Sequence, residues 1–169
     1  GSCYANGQGV EQDHVEAVKW YRQATNAGSA YAMSNLGFCY ANGQGVEQDY
    51  VEAVKWLRQA AEAGHAPAMN SLGFCYANGQ GVEQDYTEAA KWYRQASNAG
   101  STAAMCNIGL SYNNGEGVEL DHTEAVKWYR QAANAGNALA MFNLGVCYYF
   151  GEGVELDHTE AVKWYRQAA

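Results

Sequence analysis

Five tryptophans, Trp20, Trp56, Trp92, Trp128 and Trp164, stand 36 residues apart. Gly28, Gly64, Gly100 and Gly136 keep the same step, as do Met33, Met69, Met105 and Met141. The segment spanning residues 32–64 returns along the chain, whole or cut short, without an insertion or deletion. A fixed period of this length is the signature of a solenoid. Each unit is a supersecondary element that cannot bury its apolar face alone, and stacking the units builds one continuous core.

Within a unit the pattern reads as two helices. The first, helix A, covers about residues 30–41, because Met33, Leu36 and Tyr40 are spaced three and four apart on one helical face. Asn42-Gly43-Gln44-Gly45 ends it, glycine readily taking the left-handed conformation that closes a helix. Helix B begins at Asp49. Asp49 and Glu52 fit a capping box, which recurs as Asp13/Glu16, Asp85/Glu88, Asp121/Glu124 and Asp157/Glu160. Ala53, Trp56, Leu57 and Ala60 form the expected buried stripe, with Arg58 toward the negative end of the helix dipole. Residues 3–27 hold a repeat stripped of most of helix A. Residues 28–63, 64–99 and 100–135 are complete, and residues 136–169 lack only the end of helix B. The expectation is an all-α chain with nine substantial helices, no strands and no linker, a single repeat array over residues 1–169. Cys3 aligns with Cys39 and Ala169 with Ala61, so the array reads as a fragment of a longer one. Trp20 and Tyr21 are expected to be partly exposed at the N-terminal end, and end-to-end self-association is expected.

The single proline, Pro67, falls in the first turn of a helix A, where a missing N–H costs little. Net charge is −8, from 18 acidic and 10 basic residues. That balance argues against nucleic acid, whose binding depends on neutralising phosphates, and against a polybasic membrane contact. No stretch approaches the roughly 20 apolar residues of a membrane span. The acids recur at Glu47, Asp49 and Glu52 and their equivalents, which makes one edge of the array negative. Two readings stand: a solvated edge with helix caps, or a surface that steers a basic partner.

The pattern Met33-x-x-Leu36-Gly37-x-x-Tyr40, followed by Ala53-x-x-x-Leu57-x-x-Ala60, resembles a tetratricopeptide repeat. Two departures redirect the match. The period is 36 where that family has 34, and the loop carries Gly43-x-Gly45-Val46-x-x-Asp49. With Ala53-x-x-Trp56, this is similar to the SEL-one-like repeat (SLR) family. The resemblance covers essentially the whole chain. It implies a right-handed α/α superhelical solenoid of antiparallel helix pairs, serving as a non-enzymatic adaptor for protein complexes.

Comparing the repeats with one another separates positions the fold demands from positions it releases. Helix A keeps Ala32, Met33, Leu36, Gly37 and Tyr40 and varies Tyr31, Ser34, Phe38 and Ala41, which share one face away from the core stripe. In the related tetratricopeptide architecture this face lines a concave groove. The resemblance therefore implies a partner-binding groove of Tyr31, Ser34, Asn35, Phe38, Asn70, Phe74, Asn107, Leu110, Asn113, Phe142, Asn143, Val146 and Tyr149, with Phe38, Phe74, Leu110 and Val146 as an apolar ladder. The ladder residues could instead pack on a neighbouring helix A. Asn35, Ser71, Asn107 and Asn143 could bond a partner's backbone or a local backbone group.

Catalytic and metal chemistry find little support. Five cysteines, Cys3, Cys39, Cys75, Cys106 and Cys147, are odd in number, and four share one column. Neighbouring members of that column stand about 9–10 Å apart by helix packing, beyond disulfide reach. They read as free, reduced thiols, favouring a reducing compartment such as the cytoplasm and leaving periplasm or secretion open. Cys106, out of column, is expected to face the groove as a reactive thiol. His14, His122 and His158 share a column with Tyr50 and Tyr86, and His65 stands alone, so no zinc spacing appears. Gly43/Gly45 and their equivalents lack a phosphate-loop lysine, and no cofactor is implied. The acidic pairs recur in every repeat, whereas an active site is normally a unique constellation. The leading function is a scaffold binding a partner protein or peptide. A carbohydrate or cell-wall module, supported by the aromatics, and a passive spacer within a larger protein are the alternatives.

Overall fold

The structure, a computed structural model, describes all 169 residues. It contains ten helices and no strand. Nine helices have 11 or 13 residues, and a five-residue helix remains where the first helix A is cut short. The chain divides into two compact units, Gly1–Gln84 and Asp85–Ala169. The first holds α1 (Ser2–Asn6), α2 (His14–Asn26), α3 (Ala30–Asn42), α4 (Tyr50–Glu62) and α5 (Ala66–Asn78). The second holds α6 (Tyr86–Asn98), α7 (Thr102–Asn114), α8 (His122–Asn134), α9 (Ala138–Phe150) and α10 (His158–Ala168). Odd-numbered helices are of type A and even-numbered ones of type B. No helix is long and apolar enough to cross a membrane.

Side chains and glycines set each boundary. Helix α3 ends at Gly43, φ 66°, and the N–H of Gln44 bonds back to the Cys39 carbonyl at 2.9 Å, satisfying a carbonyl the helix would otherwise leave open. The Asp49 carboxylate accepts the Glu52 N–H at 3.0 Å and starts α4. The reciprocal arm of the expected capping box is absent. The Asp49 N–H already donates to the Tyr40 carbonyl at 3.0 Å, and the Glu52 carboxylate accepts from Lys55 Nζ at 2.8 Å. The A helices carry their own N-caps, Ser29, His65, Ser101 and Asn137, a column the sequence reading passed over. His65 caps through Nδ1, which accepts the Ala68 N–H at 3.3 Å. Burial holds its pKa below the ordinary value, favouring the neutral ring that can accept.

Packing follows the invariant columns. In the first unit, Ala17, Val18, Tyr21, Ala32, Leu36 and Cys39 form one buried cluster, with Trp56 packed against it. In the second unit, Tyr129, Ala132, Leu144 and Cys147 do the same, with Trp164 packed against them. Gly37 sits where α3 meets α4, and a Cβ there would lie 2.8 Å from Leu57 Cγ. Each helix B also grips the next helix A. Arg22 donates to the Tyr40 hydroxyl at 2.9 Å and Arg58 to Tyr76 at 2.6 Å. In the second unit Arg94 donates to Tyr112 and Arg130 to Tyr148, both at 2.6 Å.

Two expectations about the aromatic residues change. Tyr21 is buried, not partly exposed, because the chain start folds onto its ring: a Cβ on Gly1 would meet Tyr21 Cε1 at 2.4 Å. Trp20 remains 46% exposed. The other tryptophans are only partly buried as residues, but the indole N–H groups of Trp56, Trp92, Trp128 and Trp164 are covered and bond to no partner. Their contribution is the packed ring, not a hydrogen bond.

Candidate functional site

The varied face of the A helices is open. In the first unit Tyr31, Phe38 and Phe74 are 56%, 57% and 50% exposed. Buried Leu36 and Leu72, each two residues before a phenylalanine, face the core of the same helices. Ser34, Asn35 and Asn70 are half-buried. Phe38 and Phe74 with these three line a cavity of about 540 Å³ between α3 and α5. Tyr31 is not among the lining residues; its ring is edge-on to His65 at 6.2 Å.

The second unit is built on the same face with a different outcome. Phe142 and Tyr149 are half-exposed, and Phe150 is more so. Leu110 packs against the buried cluster, and Val146 is half-buried, so these two rungs present less surface than the phenylalanines. Phe142 leans on Tyr165 at 5.6 Å, and Tyr149 packs against Phe150 and His158 at 5.0 and 4.8 Å. Asn113 and His122 share a hydrogen bond of 3.2 Å. Asn143 donates weakly to Cys106 Sγ at 3.8 Å. Asn107 is half-buried on α7. Asn35 takes the local option: its amide donates to the Tyr31 carbonyl at 2.8 Å.

Pro67, the counterpart of Tyr31 on the varied face, lines the cavity too, and so do Tyr50 and Gln80, which the helix A pattern does not point to. Gln48 holds Tyr50 in place, donating to its hydroxyl at 3.0 Å and to the Ala41 carbonyl at 2.8 Å. The signal is the column His14, Tyr50, Tyr86, His122, His158, whose histidines alone suggest only metal ligation. The cavity lining contains no charged residue, and neither α3 nor α5 contains one.

The cysteines are free thiols. Cys106 does not face the groove. It is 1% exposed in the core of the second unit, and burial pushes its thiol up to about 11. Burial does the same for Cys75 and Cys147. A thiol that stays protonated is a poor nucleophile. Cys3 is exposed. A thiol reagent near neutral pH is therefore expected to label Cys3 rapidly and the other four only on unfolding. Rapid labelling of Cys106 in the native protein, read by mass spectrometry, would contradict the packing described here.

Helix pairs repeated at fixed spacing, with a conformationally fixed turn and one released face, define a tandem α/α-repeat protein. The Sel1 repeat family model matches five times, over residues 1–29, 30–65, 66–101, 102–137 and 138–169, and the chain belongs to the Sel1 repeat family. Its strand-free architecture of repeated helix pairs is that of the Sel1 repeat solenoids. A protective antigen of uropathogenic Escherichia coli strains that displays an SLR fold is 40% identical, with a TM-score of 0.91 over 99% of this chain and 36% of that one. A Sel1 repeat protein from Oxalobacter formigenes is 39% identical, with a TM-score of 0.94 over 99% of this chain and 66% of that one. The chain thus spans about a third of the first protein and about two thirds of the second. Cysteine rich protein B of Helicobacter pylori shares the fold at 24% identity, with a TM-score of 0.60 over 80% of this chain and 97% of that one. No curated protein matches the chain. Sel1 repeat proteins are generally protein-interaction scaffolds.

Proposed function

We propose that this protein is a non-enzymatic scaffold that binds a partner protein or peptide on the exposed face of its A helices, with the α3–α5 cavity as the principal contact. One observation carries the reading. Phe38 and Phe74 occupy the same position in successive repeats and stay half-exposed beside a cavity, although two residues away the same helices bury leucine completely. Exposed apolar surface of this kind, rimmed by Ser34, Asn35 and Asn70, marks interaction sites. The aromatic rungs supply buried area on binding, and the side-chain amides supply register.

Phe74→Ala tests it. A side chain half in water contributes little to folding, so the substitution should cost less than about 1 kcal/mol. Partner affinity should fall by about tenfold or more, as for an interface anchor. The check pairs urea unfolding with binding of the same purified variant. A stability loss of about 3–5 kcal/mol, the value for a core phenylalanine, would show that Phe74 holds the fold together and would remove the anchor from the proposal.

A further inference from the structure

Resting on the reading of the α3–α5 cavity as the partner site, we infer that its occupant is an amphipathic helix whose apolar stripe is flanked on one side by lysine or arginine. Two observations select it: the size of the cavity and the placement of charge around it.

Along α3 the lining runs from Ser34 to Asn42, and along α5 from Pro67 to Cys75. At 1.5 Å per residue each stretch is about 12 Å long. An α-helix with its side chains is about 10–12 Å across, so a helix laid across α3 and α5 fills the cavity from edge to edge. A single extended strand, with neighbours only about 4.8 Å away in a sheet, leaves much of that width open. Phe38 and Phe74 then meet successive apolar positions of the crossing helix, as in other helix-in-groove contacts.

Charge is segregated around this cavity. The floor is uncharged, since α3 and α5 carry no ionisable acid or base beyond tyrosine and cysteine. At the edge where these helices end, the chain continues into loops bearing Glu47, Asp49 and Glu83, all exposed. Tyr50 and Gln80 bring that edge into the cavity wall. The carbonyl ends of α3 and α5 point the same way and add partial negative charge. No base answers these acids. In the first unit Lys19 and Lys55 pair with Glu16 and Glu52 on the B helices, and Arg22 and Arg58 are engaged by tyrosine hydroxyls. The opposite edge, where α5 begins at His65, has Glu62 alone. A partner helix with cations on the flank facing Glu47 and Glu83 therefore gains attraction and faster encounter, whereas an acidic flank is repelled.

The test uses the whole chain and synthetic peptides about four turns long. One is a leucine/lysine amphipathic helix, the second its leucine/glutamate counterpart, and the third a lysine peptide of the same composition interrupted by prolines. Fluorescence anisotropy is read at low and high salt. The expected result is binding of the leucine/lysine helix at least tenfold tighter than either other peptide. Glu47→Gln with Glu83→Gln should narrow the gap to the glutamate helix several-fold, and Phe38→Ala with Phe74→Ala should abolish binding. Equal binding of lysine and glutamate helices, both lost in the phenylalanine variant, overturns the charge inference and leaves the cavity as the site. Equal binding of the proline-interrupted peptide overturns the helical occupant. Binding that survives loss of both phenylalanines places the peptide elsewhere and overturns the cavity reading itself.

Discussion

Gly81→Ala is expected to destabilise the first unit by about 3–5 kcal/mol, among the largest effects available to a single methyl group. Two costs add at this position. Gly81 has φ +72°, a conformation that strains any side chain by about 1–3 kcal/mol. A Cβ there would also lie 2.1 Å from the Tyr50 carbonyl oxygen, a backbone atom in the first turn of α4 that cannot rotate aside. The loop after α5 would have to lift off the helix it rests on. Gly64→Ala is the matched control. Gly64 has φ +87° and nothing within 4 Å of its hypothetical Cβ, so it incurs the conformational cost alone, the same about 1–3 kcal/mol. Chemical denaturation of both variants isolates the close approach as the difference. Equal losses would mean that the loop does not rest on α4.

Leu72→Ala should cost about 3–4 kcal/mol, within the range for a fully buried leucine. Leu72 has no exposed surface, and truncation leaves a cavity that close-packed neighbours cannot refill. The comparison with Phe74→Ala gives this number its use. The two residues lie on the same helix, and the larger side chain is expected to matter less to stability because it faces solvent. Urea titration of the two variants decides the orientation of α5. A loss for Leu72→Ala below that for Phe74→Ala would turn the helix over and with it the whole assignment of core and surface.

Why the helix pairs are more fully legible in the sequence than the candidate face is a matter of what repeats. Ala32, Leu36 and Gly37 are copied in register because each must meet the same neighbour, and repetition makes such constraints visible. The Asp49 cap was visible for the same reason. Its missing reciprocal arm was not, because the bond from the Asp49 N–H to the Tyr40 carbonyl joins positions nine apart through a loop. The arginine–tyrosine grips were also hidden. Arg58 and Tyr76 lie in different repeats, and neither column alone implies the other. Cys106 sits outside the cysteine column, and a position off the repeated core stripe reads as surface. At α7 the side chain is small enough to turn inward and pack in the core. The released positions on helix A were legible as one varied face with an apolar ladder, but not in their depth of burial. That Phe38 and Phe74 share a cavity, and that Tyr50 closes its wall, depends on the spacing between helices.

The most direct measurement is an affinity capture from a native extract with this chain as bait, beside a Phe38→Ala, Phe74→Ala, Phe142→Ala variant whose helical content and unfolding midpoint are verified. The account predicts a protein retained by the unmodified chain and lost by the folded variant, with the contact crosslinking to α3 and α5. The same proteins retained by both baits would contradict the claim that the exposed helix A face is where this scaffold binds.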